Sequence, residues 1–115
     1  MYTFPKEMRA ALESCEASFV YYQRIGDEAV PVLASDGFCH KTGMPREHVL
    51  EWLKRGMFER MYPDDVGIVS QVSDAFLRHE GPYDVVFRCR LSALEQGKYF
   101  LIHGLGSGQT MPDGT

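Results

Sequence analysis

YDVVFRCRL (residues 83–91) and KYFLIHGL (98–105) decide the fold of this chain. The first stretch alternates: Tyr83, Val85, Phe87, Cys89 and Leu91 fall on one side of a strand, and Asp84, Arg88 and Arg90 on the other. One face of this strand is buried and the other meets water. The second stretch is apolar on both sides, with Tyr99, Leu101 and Leu105 on one and Phe100 and Ile102 on the other. Such a strand is expected to be covered on both faces. Short helices would cover one; an N-terminal helix or a partner chain would cover the other. SALEQG (92–97) between them reads as a loop.

Working back from this pair, Gly81 and Pro82 end a helix that Pro63 begins. Asp64 and Asp65 suit its positive N-terminal end. Val66, Val69, Val72 and Phe76 make its buried face, and Gly67 inside it costs about 1 kcal/mol relative to alanine. MPREHVLEWLKRG (44–56) is a second helix, with Pro45 in its first turn, Val49, Leu50 and Leu53 as its stripe and Gly56 as its stop. In SDGFCHKTG (35–43), Ser35 or Asp36 caps a short helix that Gly43 ends. SFVYYQRI, Gly26-Asp27-Glu28 and AVPVLA form a hairpin. Pro31 cannot donate to a ladder, so its strand belongs at a sheet edge. Residues 4–16, FPKEMRAALESCE, carry an apolar stripe of Phe4, Met8, Ala11, Leu12 and Cys15 and read as an amphipathic helix. Pro112-Asp113-Gly114 reads as a closing turn.

The bulk numbers bound the function. A chain of 115 residues suits one domain, and 44% hydrophobic with 24% charged residues is ordinary for a soluble globule. Net charge is −4, which argues against a nucleic-acid surface. No run of 18 apolar residues occurs, so no membrane insertion is expected. The start, MYTFPKEMRAALE, is charged where a signal peptide is apolar, so secretion is not expected. Cys15, Cys39 and Cys89 are odd in number and widely spaced, which suits a reducing cytoplasm rather than a disulfide framework or a zinc site.

Catalytic patterns are lacking. Asp64 and Asp65 are adjacent and so point about 100° apart on a helix. No G-x-S-x-G, phosphate-cradling loop or H-E-x-x-H occurs. Gly104, Gly106 and Gly108 suggest a twisted or bulged strand end.

Four ordered motifs resemble PAS domains of the bacterial signalling type. The family's N-x-x-F-x-x-x-T-G-Y-S is matched by Ser35-Asp36-Gly37-Phe38 running to Thr42-Gly43-Met44-Pro45. Its h-H-P-D-D is matched by Met61-Tyr62-Pro63-Asp64-Asp65, and its Y-x-h-h-H-x-x-G by Tyr99-Phe100-Leu101-Ile102-His103-Gly104-Leu105-Gly106. Asp113-Gly114 matches the turn that usually follows. Tyr62 in place of histidine, Pro45 in place of serine and Lys41 in place of an apolar residue depart from the pattern.

The resemblance implies an α+β fold: a five-stranded antiparallel sheet, short helices on one face and the N-terminal amphipathic helix. It divides the chain into that helix (1–16) and a PAS-like domain (17–115) whose last strand would begin just after Thr115. In the family that fifth strand lies between the first and the fourth. Its slot is expected to be filled by another copy or a rearranged terminal segment, or closed by pairing strands that normally do not touch.

In function the resemblance implies a cytoplasmic sensory or regulatory module, not itself an enzyme, in a larger signal-transduction protein. It would bias a covalently linked diguanylate cyclase, cyclic-di-GMP phosphodiesterase or histidine kinase through small-ligand binding, homodimerisation or both. The alternatives are a ligand-free interaction module and a small enzyme built on His103. Haem is not expected: His79 closes a helix, and His40 and His48 face solvent. Flavin is not expected either, because Cys39 lies outside the family's reactive-cysteine segment. Tyr22, Phe38, Trp52, Met57, Phe58, Met61, Phe76, Phe87 and His103 are the candidate lining of a ligand pocket, with plain core packing as the simpler reading of each.

Overall fold

The computed structural model describes residues 2–26, 28–55, 57–90 and 98–108. The SALEQG loop, Leu91, Asp27, Gly56 and the Pro112-Asp113-Gly114 turn lie outside them. The described residues are α+β and fall into two units, 2–55 and 57–108.

The first unit runs α1 (Lys6–Glu13), β1 (Val20–Ile25), β2 (Glu28–Ala34), α2 (Asp36–Thr42) and α3 (Arg46–Arg55). β1 and β2 pair antiparallel around Gly26, whose φ of 63° is the left-handed value the turn needs. The register shifts between Tyr21 and Tyr22, which pair with Leu33 and Pro31 and leave Val32 of β2 as the extra residue. Ala34, Cys39 and Val49 form the core, with Val20, Phe38, Met44, Leu50 and Leu53 packed on it. The stripe expected on α3 is therefore the one that is buried.

The α2 cap is also a knot. Ser35 is fully buried. Its Oγ accepts from the Phe38 N–H at 3.2 Å, as a capping serine does, and from the Phe19 N–H at 3.0 Å, and it donates to Ala17 O at 2.5 Å. Gly43 ends α2 in the left-handed conformation, φ 69°. Gly37 lies against the chain entering β1. Its N–H donates to Cys15 O at 3.0 Å, and a Cβ there would meet Glu16 O at 2.0 Å. No side chain fits.

α1 is shorter than the expected 4–16 and none of its residues is buried. Met8 and Ala11 face solvent, so the apolar stripe is only partly used. Charged side chains hold the helix instead. Arg9 Nη2 donates to Val32 O at 3.1 Å, and Arg46 reaches Glu13 O at 3.0 Å and Glu13 Oε2 at 3.2 Å. Arg46 also bonds Asp36 and Ala34 O. Burial opposes its charge, but the hydrogen bond to Asp36 and the nearby carboxylates outweigh burial and raise its pKa.

The second unit runs α4 (Met57–Arg60), a 3₁₀ turn (Pro63–Asp65), α5 (Val66–Leu77), β3 (Tyr83–Cys89) and β4 (Phe100–Gly106). The expected long helix thus begins with a tighter turn at Pro63. β3 alternates as read, with Val85, Phe87 and Cys89 buried and packed with Met61 and Val69 as the core. β3 is flanked on both sides. β4 pairs along one edge without interruption, Tyr83 opposite Gly106 through Cys89 opposite Phe100. The chain near Met61 lies along the other: Tyr62 N–H donates to Arg88 O at 2.8 Å, Arg90 N–H donates to Arg60 O at 2.9 Å, and Met61 bridges Cys89.

Two expectations need correction here. The glycines near the end of β4 do not mark a bulge. They make room for Tyr83, whose ring lies 3.1 Å from a Cβ built on Gly104, and whose Cβ lies 3.3 Å from one built on Gly106. Nor, among the described residues, is β4 covered on both faces: Leu101 is 76% and Leu105 69% exposed, and Tyr99 and Phe100 are also exposed.

A five-stranded sheet is not what forms among the described residues. β1 pairs only with β2, and β4 only with β3.

Candidate functional site

The outer face of the β3–β4 sheet is the most developed surface in the second unit. Asp84, Val86 and Arg88 project from β3 opposite Leu105, His103 and Leu101 of β4, and all are exposed. Val86 is 51% exposed. Among these apolar side chains the polar ones are held in place. Asp65 accepts from the Arg88 backbone N–H and from its Nε, each at 2.9 Å, and from Nη2 at 2.8 Å. Hydrogen bonding by the Arg88 side chain and then by its backbone N–H holds the Asp65 carboxyl below its ordinary 3.8, and the side-chain bond, with the nearby negative charge, raises Arg88 against its partial burial. The fork geometry of guanidinium on carboxylate fixes direction as well as distance.

The order continues sideways. The Arg88 guanidinium lies 3.8 Å from the centre of the Tyr62 ring, which meets Tyr99 edge-on at 5.2 Å. Arg90 lies 5.9 Å from the centre of Tyr99. At the other end of the face His103 Nε2 is 2.7 Å from Asp84 Oδ1. Tyr62 thus stacks under an arginine that Asp65 aims.

Comparison with family models, curated proteins and solved structures gives no match.

The sequence-derived pocket residues scatter over both units. In the first, Tyr22 is exposed on β1, and Phe38 and Trp52 are half-buried on α2 and α3. In the second, Met61 and Phe87 are buried in the core, Phe76 is half-buried edge-on to Tyr83, and Phe58 and His103 are exposed. Met57 opens α4, but its side chain lies outside the described residues. None of them lines the open groove of about 290 Å³ in the first unit, which Tyr2, Thr3, Phe4, Arg9, Pro31, Val32 and Leu50 surround. Arg9, its cation, already serves Val32 O and Glu13.

Burial pushes the Cys89 thiol and the Tyr83 phenol up, which makes both poorer nucleophiles. Among the described residues no group of three or more His, Cys, Asp or Glu could hold a metal ion, and no helix is long and apolar enough to cross a membrane. His40 and His48 are exposed, as expected, and His79 follows α5 in the left-handed conformation, φ 59°. Sequence reasoning assigned Asp65 to the helix start alone and missed its bond to Arg88. The alternation placed Arg88 on the open face, but nothing in the spacing paired residues 65 and 88.

Proposed function

We propose that this chain is a regulatory module that works by protein–protein association, a PAS-like element of a larger bacterial signalling protein whose output domain it modulates. The observation that carries this reading is the outer face of β3–β4. Val86, Leu101 and Leu105 stand open to solvent there beside side chains already ordered by Asp65–Arg88, Tyr62 and Tyr99. Apolar contact area surrounded by pre-ordered arginine and tyrosine is the composition of a docking surface. Met61 and Phe87, two of the proposed pocket residues, are spent on core packing, which favours association over enclosure of a ligand.

The module itself carries no catalytic role in this reading, and its output is read elsewhere in the full-length protein. Val86→Asp, at an exposed site, should leave circular dichroism unchanged and alter the output activity (cyclic-di-GMP turnover or autophosphorylation) several-fold. An unchanged output with Val86→Asp would overturn the reading. A small molecule that co-purifies with the chain in native mass spectrometry would replace it with ligand sensing.

A further inference from the structure

We infer that residues 2–13 are a releasable strap, which leaves the first unit and returns to it while β1, β2, α2 and α3 stay folded, and that Arg46 is the latch that holds it down. This device is independent of the β3–β4 face and uses no residue of the second unit.

The seating of α1 carries it. None of its eight residues is buried. An amphipathic helix is ordinarily held by burying its apolar stripe. Here Met8 and Ala11 of that stripe face solvent, and the attachments are made by Arg9 and Glu13. These two lie about 100° and 140° round the helix from Met8, at about 100° per residue. α1 is therefore docked by its polar flank. Its apolar contact with the body is slight: Phe4 meets Tyr21 edge-on at 5.5 Å, and Leu12 is half-buried. The space beneath is not filled either. The groove of about 290 Å³ lies between Tyr2, Phe4 and Arg9 of the strap and Pro31, Val32 and Leu50 of the body.

Arg46, in the first turn of α3, takes the strap by its end. Nη2 donates to Glu13 O at 3.0 Å and Nη1 to Glu13 Oε2 at 3.2 Å. The same guanidinium bonds Asp36 and Ala34 O, so the body fixes it where it meets the strap. Farther up, Arg9 Nη2 donates to Val32 O at 3.1 Å. Water reaches the latch, since the Arg46 and Glu13 side chains are 34% and 26% exposed, and an ion pair so placed holds only weakly.

The hinge is set by what stays in place. Just beyond the strap the chain is anchored: Gly37 N–H donates to Cys15 O at 3.0 Å, and Ser35 Oγ to Ala17 O at 2.5 Å. Release therefore stops at Ser14, the residue that caps α1, and leaves the buried knot closed. Once free, so short a helix unwinds, because isolated helices below about 12–15 residues are marginal in water. Release and unwinding are one event, and the α1 amides report it. Segments with few buried apolar contacts open in this way well below the free energy of global unfolding. The opening uncovers the apolar floor of Pro31, Val32 and Leu50.

The test is amide hydrogen exchange on the full 115-residue chain. The Leu12, Glu13 and Ser14 amides report the strap; the Ser35 and Gly37 amides, bonded to Phe19 O and Cys15 O, report the body. In the parent chain the strap should exchange at least a hundred-fold faster than the body. Arg46→Gln should speed the strap at least a further ten-fold. Arg9→Met, which touches the strap alone, should speed it about three-fold and leave Ser35 and Gly37 unchanged. If strap and body exchange at one rate in the parent chain, α1 opens only with the whole unit and there is no strap. A fast strap that neither variant accelerates is not latched by these arginines. If Arg46→Gln accelerates the body as much as the strap and Arg9→Met accelerates nothing, Arg46 is a keystone of the unit and the latch is overturned. Should Arg46→Gln fail to fold, the response of the strap to Arg9→Met decides alone.

Discussion

The two units fasten their hairpins by opposite means. In the first, β2 runs into a buried knot of neutral groups: Ser35 Oγ serves the Phe19 and Phe38 N–H groups and Ala17 O, and Gly37 sits flat against the chain at Glu16. In the second, β3 is tied to the helical segment by a half-exposed charge pair, Asp65 and Arg88. A buried neutral knot depends on shape and on completed hydrogen bonds, and neither salt nor moderate pH touches it. An exposed ion pair depends on ionisation and is screened by salt. The first unit should therefore respond to steric change and the second to solution conditions.

Gly37→Ala is the strongest way to break the knot. Its Cβ would lie 2.0 Å from Glu16 O and 2.7 Å from the Ala17 carbonyl carbon, both backbone atoms that no rotamer change can move. Either α2 or the chain entering β1 must shift, and the Gly37 N–H bond to Cys15 O goes with it. Overpacking of this kind costs about 3 kcal/mol. Urea denaturation should show the loss undiminished from pH 4 to pH 8. A loss below about 1 kcal/mol would mean that the two segments are not held together as closely as the Ser35 bonds require.

Asp65→Asn sharpens the contrast. The folded Asp65 carboxyl titrates below its ordinary 3.8. A group whose pKa is depressed by folding adds stability above its unfolded value, and this is lost as pH falls through the folded value. The difference between the parent chain and Asp65→Asn should thus be greatest at neutral pH and shrink below about pH 4, and 0.5 M salt should narrow it. Because the pair is partly exposed and screened by water at Arg88, the effect should be smaller than that of Gly37→Ala. A difference independent of pH would place Asp65 with Ser35 as a shape-determined tie.

How far each fastening could be read from sequence follows from its range. Ser35, Gly43 and the α3 stripe were legible because a cap, a left-handed glycine and a helical face are local in sequence. The alternation of β3 was legible for the same reason. Asp65–Arg88 and Arg46–Glu13 join residues far apart in the chain, and no spacing rule announces them. The apolar doubling of β4 was visible, but it indicated that the strand is to be covered without saying by what. The fully buried positions of Met61 and Phe87 depend on the third segment that lies along β3, and their residue types fit a pocket wall as well as a core.

Gly67→Ala is the mildest test and acts in the opposite direction. Gly67 lies in the first turn of α5, and a Cβ there meets nothing within 4 Å. Its φ is not in the left-handed region, where among the described residues the glycines are Gly26 and Gly43. Among the described residues Gly67 has no packing or backbone reason to be glycine, so only its cost remains: extra freedom in the unfolded chain and low helix propensity. Alanine should stabilise the unit by about 0.5–1 kcal/mol. The gain should be alike in the parent chain and in Asp65→Asn, because a propensity effect on the solvent side of α5 does not involve the charge pair that ends the preceding turn. If the gain vanishes in Asp65→Asn, the turn at Pro63–Asp65 and the start of α5 order each other through the Arg88 contact, and the second unit is fastened more cooperatively than an exposed ion pair alone can achieve.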